Sequence, residues 1–189
     1  MSEITHITQV LNSVARGEAG AAQDLLPLVY EELRRLAAAR MAHEASGHTL
    51  QPTALVHEAW LRLVNEGDRT WANRALFFAA AAEAMRRILI ENVRRKSRVK
   101  RGGGQLIRIQ LSDIDLAEKT PDDRVLLIDE ALERLRAEIP ESAQVVTMKF
   151  FAGMTNQEVA ETLGVTERTV ERKWAFAKAW LLRNIQEAR

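Results

Sequence analysis

Arg168 and Arg172 stand one helical turn apart in the stretch TNQEVAETLGVTERTVERKWAFAKAWLL (155–182), and their chemistry is recognition of polyanions. A guanidinium carries a rigid fork of donors that matches phosphate oxygens or the O6/N7 edge of guanine. With their neighbours they form a candidate reading surface of Thr166, Arg168, Thr169, Glu171, Arg172 and Lys173. A glutamate in such a surface repels phosphate unless it accepts from a cytosine amino group. A second cationic set lies upstream. Residues 86–101 (RRILIENVRRKSRVKR) hold eight Arg or Lys against one Glu, a local excess of +7 in a chain of net charge +1. Arg87, Arg94 and Arg98 share a helix face, with Arg95 beside them. Such segregation reads as a polyanion-binding surface, or else as a solvated helix end with a basic tail.

Other polar groupings do not complete a catalytic or metal site. His57-Glu58 lacks a histidine four residues after the first, so no zinc-protease helix is present. His43 and His48 flank a loop without visible co-ligands. Gly102–Gly104 is followed by Gln-Leu rather than Lys-Ser/Thr, which rules out a phosphate-binding P-loop. No catalytic residue, metal ligand or cofactor is expected. The chain has no cysteine, which excludes disulfides and thiolate metal sites.

The elements that must position the arginines are helices. Thr155 caps one, and Glu158 three residues later completes a capping box. Val159, Ala160 and Leu163 form its apolar stripe, and Gly164 supplies the left-handed exit. Thr166 caps a second helix carrying Val170, Trp174, Ala177 and Leu181 on the side away from Arg168 and Arg172. This is the pattern of a helix-turn-helix, although a helical hairpin within any all-helical domain shares its outline. Upstream, helices are expected over about 5–15, 22–43 (with Pro27 in the first turn), Pro52 to Asn65, and Trp71 to about Lys100. Downstream they are expected over about 123–137, 141–151, 156–163 and 167–187. Between them, the glycine triplet reads as a flexible joint. Ile107, Ile109 and Leu111 alternate like an extended connector that its acidic neighbours keep solvated. The expected fold is all-α: a helical domain over 1–100, a flexible linker over 101–122, and a helix-turn-helix domain over 123–189. Trp60 and Trp174 are expected in the core.

No uninterrupted apolar run approaches the roughly 20 residues of a membrane span. MSEITHITQVLNS lacks the basic start and apolar centre of a secretory signal, so a cytoplasmic location without membrane insertion is expected.

Taken together, these motifs resemble the bacterial RNA polymerase sigma factors of the compact, two-domain extracytoplasmic-function type. ALVHEAWLRL (54–63) is similar to the family helix D-L-V-Q-E-V-F-L-R-L, with Ala54 and His57 in place of Asp and Gln. WANRALFFAAAAEAMRRIL (71–89) is similar to a segment of one subgroup. Gly153, Glu158, Ala160, Leu163, Gly164, Val165, Thr169, Val170 and Ala177 keep the pattern of the family's promoter-reading domain, while Glu171 and Trp174 depart from it.

The resemblance implies a non-enzymatic specificity subunit whose partners are core RNA polymerase, promoter DNA and, in many members, an anti-sigma protein. It implies polymerase docking through His57, Glu58 and Arg62. It implies minus-35 reading through the second helix of the motif. Opening of the minus-10 element needs cationic rails and flat side chains to hold a displaced base. The residues expected there are Asn65, Trp71, Asn73, Arg74, Phe77, Arg87, Arg94, Arg95 and Arg98, with Phe78 a further aromatic candidate. The competing expectation is a helix-turn-helix transcriptional regulator with an N-terminal helical sensor domain.

Overall fold

The computed structural model describes residues 3–41, 51–65, 71, 73–99, 110, 111, 114 and 122–187. Among them all regular structure is helical. In chain order the helices are α1 (Glu3–Ala15), α2 (Ala21–Met41), α3 (Pro52–Asn65), α4 (Arg74–Val99), α5 (Asp122–Glu138), α6 (Pro140–Val146), α7 (Asn156–Leu163) and α8 (Glu167–Glu187). A π-helical turn, Thr147–Phe151, continues α6. The expected bounds agree with these to within three residues at each end. Pro27 is the exception in detail: it lies in the second turn of α2, not the first. The side chain is exposed, so the carbonyl it leaves unpaired meets water.

α4 organises the molecule. Its residues Phe77, Phe78, Ala81, Ala82, Met85, Ile88, Leu89, Ile90 and Val93 are buried, so the helix is apolar over most of its circumference. A helix of that kind must be covered on several sides. α1 and α3 pack on it from the N-terminal half, and α2 bridges α1 and α3. From the C-terminal half α5, the π turn and α7 pack on it as well. One continuous core results, running from Leu11, Leu25 and Leu33 through Met85 to Ile128, Phe151, Val170 and Leu181. The two helical units foreseen on a tether are therefore in contact across α4.

The π turn shapes that contact. The Ala152 N–H donates to the Thr147 carbonyl at 3.2 Å, five residues back, while the Thr147 hydroxyl donates to the Ala143 carbonyl at 3.1 Å. The widened turn buries both Phe150 and Phe151, whose rings meet edge to face at 4.8 Å. Burying a phenylalanine contributes about 1.5–3 kcal/mol.

The glycine triplet and the Ile107–Ile109 alternation lie outside the described residues. The neighbouring part of the connector departs from expectation. Leu111 and Ile114 are helical rather than extended, and Ile114 is buried in the common core rather than solvated. An isolated strand has no ladder to join, whereas a helical turn satisfies its own backbone.

Candidate nucleic-acid interface

The α7–α8 pair is built by its caps. The Thr155 hydroxyl accepts from the Glu158 N–H at 3.2 Å, and a Glu158 carboxylate oxygen accepts from the Thr155 N–H at 2.8 Å. Gly164 adopts φ 65° and ψ 35°, and the Val165 N–H reaches the Ala160 carbonyl at 3.0 Å. The Thr166 hydroxyl accepts from the Thr169 N–H at 3.3 Å and opens α8. Val170, Ala177 and Leu181 anchor α8 in the core. That anchoring turns Arg168, Glu171 and Arg172 outward to solvent, with Thr166 exposed and Thr169 half-buried beside them. Lys173 is committed elsewhere, since its ammonium pairs with Glu141 of α6. Phe176 continues the outer face one turn beyond Arg172 and is 46% exposed, a feature that sequence reasoning passed over. Its signal was its place four residues after Arg172, off the apolar stripe. Trp174 is half-buried rather than core, lying between the ammonium groups of Lys149 and Lys178 at 5.5 and 5.6 Å. Trp60 is likewise half-buried against the core.

The second set of expected residues divides in two. Trp71 and Phe77 are core side chains here, and their expected stacking on a displaced base is corrected accordingly. Trp71 is 4% exposed, and its ring meets Phe77 edge to face at 5.3 Å. Phe77 and Phe78 pack in the same way at 5.2 Å, both fully buried. Adjacent aromatics on an alanine-rich helix fill the space that small neighbours leave open. The Trp71 indole N–H is buried and finds no acceptor among the described residues. Asn73 caps α4, its side-chain oxygen accepting from the Leu76 N–H at 2.9 Å. Arg74 pairs with Glu32 at 2.5 Å and lies 4.7 Å over the Phe78 ring.

The cations farther along α4 reach solvent. Arg87 donates to Glu83 at 3.2 Å, Arg95 to Asn92 at 2.9 Å, and Arg94 lies 3.7 Å from an Asp129 carboxylate oxygen. The side chains of Asn65 and Arg98 lie outside the described residues, as do His43 and His48.

Arg86, counted with this basic run, is instead buried. It donates to Asp129 and to both carboxylate oxygens of Glu83 at 3.1 and 3.0 Å, and it pairs with Glu133 at 2.7 Å. Arg136 of α5 holds the same Glu83 carboxylate at 2.9 and 3.2 Å. Burial opposes the charge on Glu83, but the bonds from Arg136 and Arg86 prevail and hold its pKa down to about 2. Burial pushes the Asp129 carboxyl up, against the pull of Arg86. This cluster joins α4 to α5 beside an open cleft of about 280 Å³.

A third face belongs to α3. Arg62 ties Glu58 at 2.9 Å to Glu91 of α4 at 2.5 Å, and His57 is exposed beside the Tyr30 ring at 6.2 Å. Leu61 (58% exposed) and Val64 fall on the same outer side. Sequence reading did not select them, although their spacing from His57, four and seven residues, places them together. Exposed apolar side chains beside charged ones are the composition of a docking surface.

No group of His, Asp or Glu among the described residues could hold a metal ion, and no described helix is long and apolar enough to cross a membrane. A family model described as ECF sigma factor matches residues 4–187. No curated protein and no solved structure matches the chain.

Proposed function

The chain belongs to the ECF sigma factor family, and we propose that its three outward faces divide the work of promoter recognition. As a family member it acts in transcription initiation, with RNA polymerase and promoter DNA as its partners. The outer face of α8 reads the minus-35 element: Arg168 and Arg172 address base edges or phosphates, Thr166 and Thr169 line the helix start, Glu171 selects against phosphate, and Lys173 stands at the rim. Each bidentate arginine–guanine contact discriminates by about 1–3 kcal/mol. The cations of α4, Arg87, Arg94, Arg95 and Arg98, guide the minus-10 strand, with Asn65, Asn73 and Arg74 at the mouth of that path. Trp71 and Phe77 support the path from beneath. His57, Glu58 and Arg62, together with Leu61 and Val64, dock on the polymerase.

In this reading residues 1–100 and 123–189 are the two working domains and 101–122 the joint between them. The protein works in the cytoplasm, where its polymerase is, without an enzymatic activity of its own. An anti-sigma protein is a further expected partner.

The supporting observation is the capped α7–α8 pair, with Arg168 and Arg172 turned to solvent, in a chain matched over nearly its whole length by this family. Run-off transcription with purified core polymerase tests the reading. The chain alone is expected to confer initiation at a defined promoter. Product only in the presence of another sigma factor would instead identify a regulator with a helical sensor domain.

A further inference from the structure

We infer that Arg62 is a positioning residue for the nucleic-acid face: it holds the Glu91 carboxylate on the α3 side of α4, away from the arginines that guide the strand. The inference rests on the role proposed above for Arg87 and Arg94, and three observations carry it.

The first is an exception in the charge run. Glu91 is the one acidic residue among the eight cations of residues 86–101. It lies four residues after Arg87 and three before Arg94, so the three share a face of α4. Opposite charges at those spacings on a helix are within reach of each other. A Glu91 without another partner would settle on one of these cations and cancel it where phosphate is to bind.

The second is where the carboxylate is held. Arg62 Nη1 donates to one Glu91 oxygen at 2.9 Å and Nη2 to the other at 2.5 Å. Nη2 also donates to Glu58 at 2.9 Å, one turn back along α3. A fork of two parallel bonds fixes the orientation of a carboxylate as well as its distance. These bonds hold the Glu91 carboxyl below its usual range against the effect of burial, and Arg87 and Arg94 add a weaker pull from the other side. The Glu91 side chain is 58% exposed, so nothing would confine it once Arg62 let go.

The third is position. Glu91 lines two clefts: one of about 280 Å³ shared with Arg87 and Arg94, and one of about 230 Å³ shared with Glu58 and Arg95. It stands on the ridge between them. A rotation of its side chain therefore moves one negative charge from the α3 side onto the strand path. That charge would cancel about one phosphate contact, which for a single strand is worth about five- to tenfold in affinity at about 50 mM salt.

A double-mutant cycle tests this. Wild type, Arg62→Ala, Glu91→Gln and the double variant, all full-length, are compared by fluorescence anisotropy. The probe is a mixed-sequence single-stranded DNA of about 20 nucleotides at about 50 mM salt. Arg62→Ala is expected to bind about five- to tenfold more weakly. Glu91→Gln alone should gain less than about twofold, because its carboxylate already points away. Added to Arg62→Ala, it should restore affinity to within about twofold of wild type. The Asp129 contact of Arg94 is common to all four chains and drops out of the comparison. Arg62→Gln, which keeps more of the side chain, is the second variant and should show the same pattern at matched helicity.

A loss in Arg62→Ala that Glu91→Gln does not rescue would overturn the inference, since a mere brace between α3 and α4 is equally broken in the double variant. An equal gain from Glu91→Gln with and without Arg62 would overturn it too, because net charge alone would then account for the data. Arg94→Ala separates this from the role of the rail itself. If Arg94→Ala binds as wild type does, the assignment of the strand path falls and the inference with it. If Arg94→Ala binds more weakly while rescue fails, the inference alone falls.

Discussion

Glu83→Gln isolates the electrostatic joint between α4 and α5. The Glu83 carboxylate accepts from Arg86, Arg87 and Arg136 within 3.2 Å, and its side chain is only 17% exposed. Against the opposing effect of burial, the Arg136 and Arg86 guanidinium groups hold its pKa at about 2, below the ordinary 4.5. At about 1.36 kcal/mol per pKa unit, the ionised form contributes about 3 kcal/mol to folding. The folded-state value is the lower one, so this stability is fully present above about pH 4.5 and is lost as pH falls through about 2. Glutamine keeps the shape and removes the charge. Urea unfolding followed by far-ultraviolet circular dichroism should place the variant about 2–3 kcal/mol below wild type at pH 7. The gap should shrink to less than half by pH 3, because wild type alone loses this contribution. Other carboxylates titrate in both proteins and, to first order, drop out of the difference. A gap below about 0.5 kcal/mol at pH 7, or one of equal size at pH 7 and pH 3, would refute the argument.

Phe77→Ala should cost about 3–5 kcal/mol and lower Tm by about 10 °C or more, as a fully buried ring demands. Lost single-strand binding at unchanged Tm would return Phe77 to the DNA surface. Gly164→Ala should destabilise by about 1–2 kcal/mol through backbone strain alone, because a Cβ there meets nothing within 4 Å. Thr155→Ala removes the α7 cap and should cost about 1 kcal/mol in the same unfolding assay. Arg172→Ala should weaken duplex binding about 5- to 150-fold, measured by fluorescence anisotropy, while core-polymerase affinity stays unchanged; equal losses in both would point to misfolding.

What could be read from the sequence was local. Thr155, Glu158, Gly164 and Thr166 declare helix starts and stops because their effects act within one turn. The placement of Arg168 and Arg172 opposite Val170 and Ala177 follows from helical period alone. Tertiary effects decided the residues that were misjudged. Trp71 and Phe77 could as well face a base as a core; the alanines around them let α4 be enclosed, which settled it. Arg86 was counted with a surface charge run, yet it falls three or four residues from Ala82, Leu89 and Ile90, in phase with the buried stripe. Its partners on α5 lie more than forty positions away, with nothing local to mark them. Leu61, Val64 and Phe176 were legible by period but ambiguous, since single exposed apolar residues are common.

The π turn at Thr147–Phe151 has a consequence for how this chain tolerates change in length. A regular α-helix turns about 100° per residue, so one residue more or less rotates everything beyond it by that angle. Phe150 and Phe151 form a buried edge-to-face pair in this turn, whose wider loop absorbs one surplus residue without rotating what comes after it. Shortening the chain by one position there would restore a regular turn and leave the orientation of α7 and α8 nearly intact. Insertion of one position just outside it would keep the pair and swing Arg168 and Arg172 by roughly a quarter-turn. The aim of the reading face is thus governed by a phase-correcting washer some twenty residues before it.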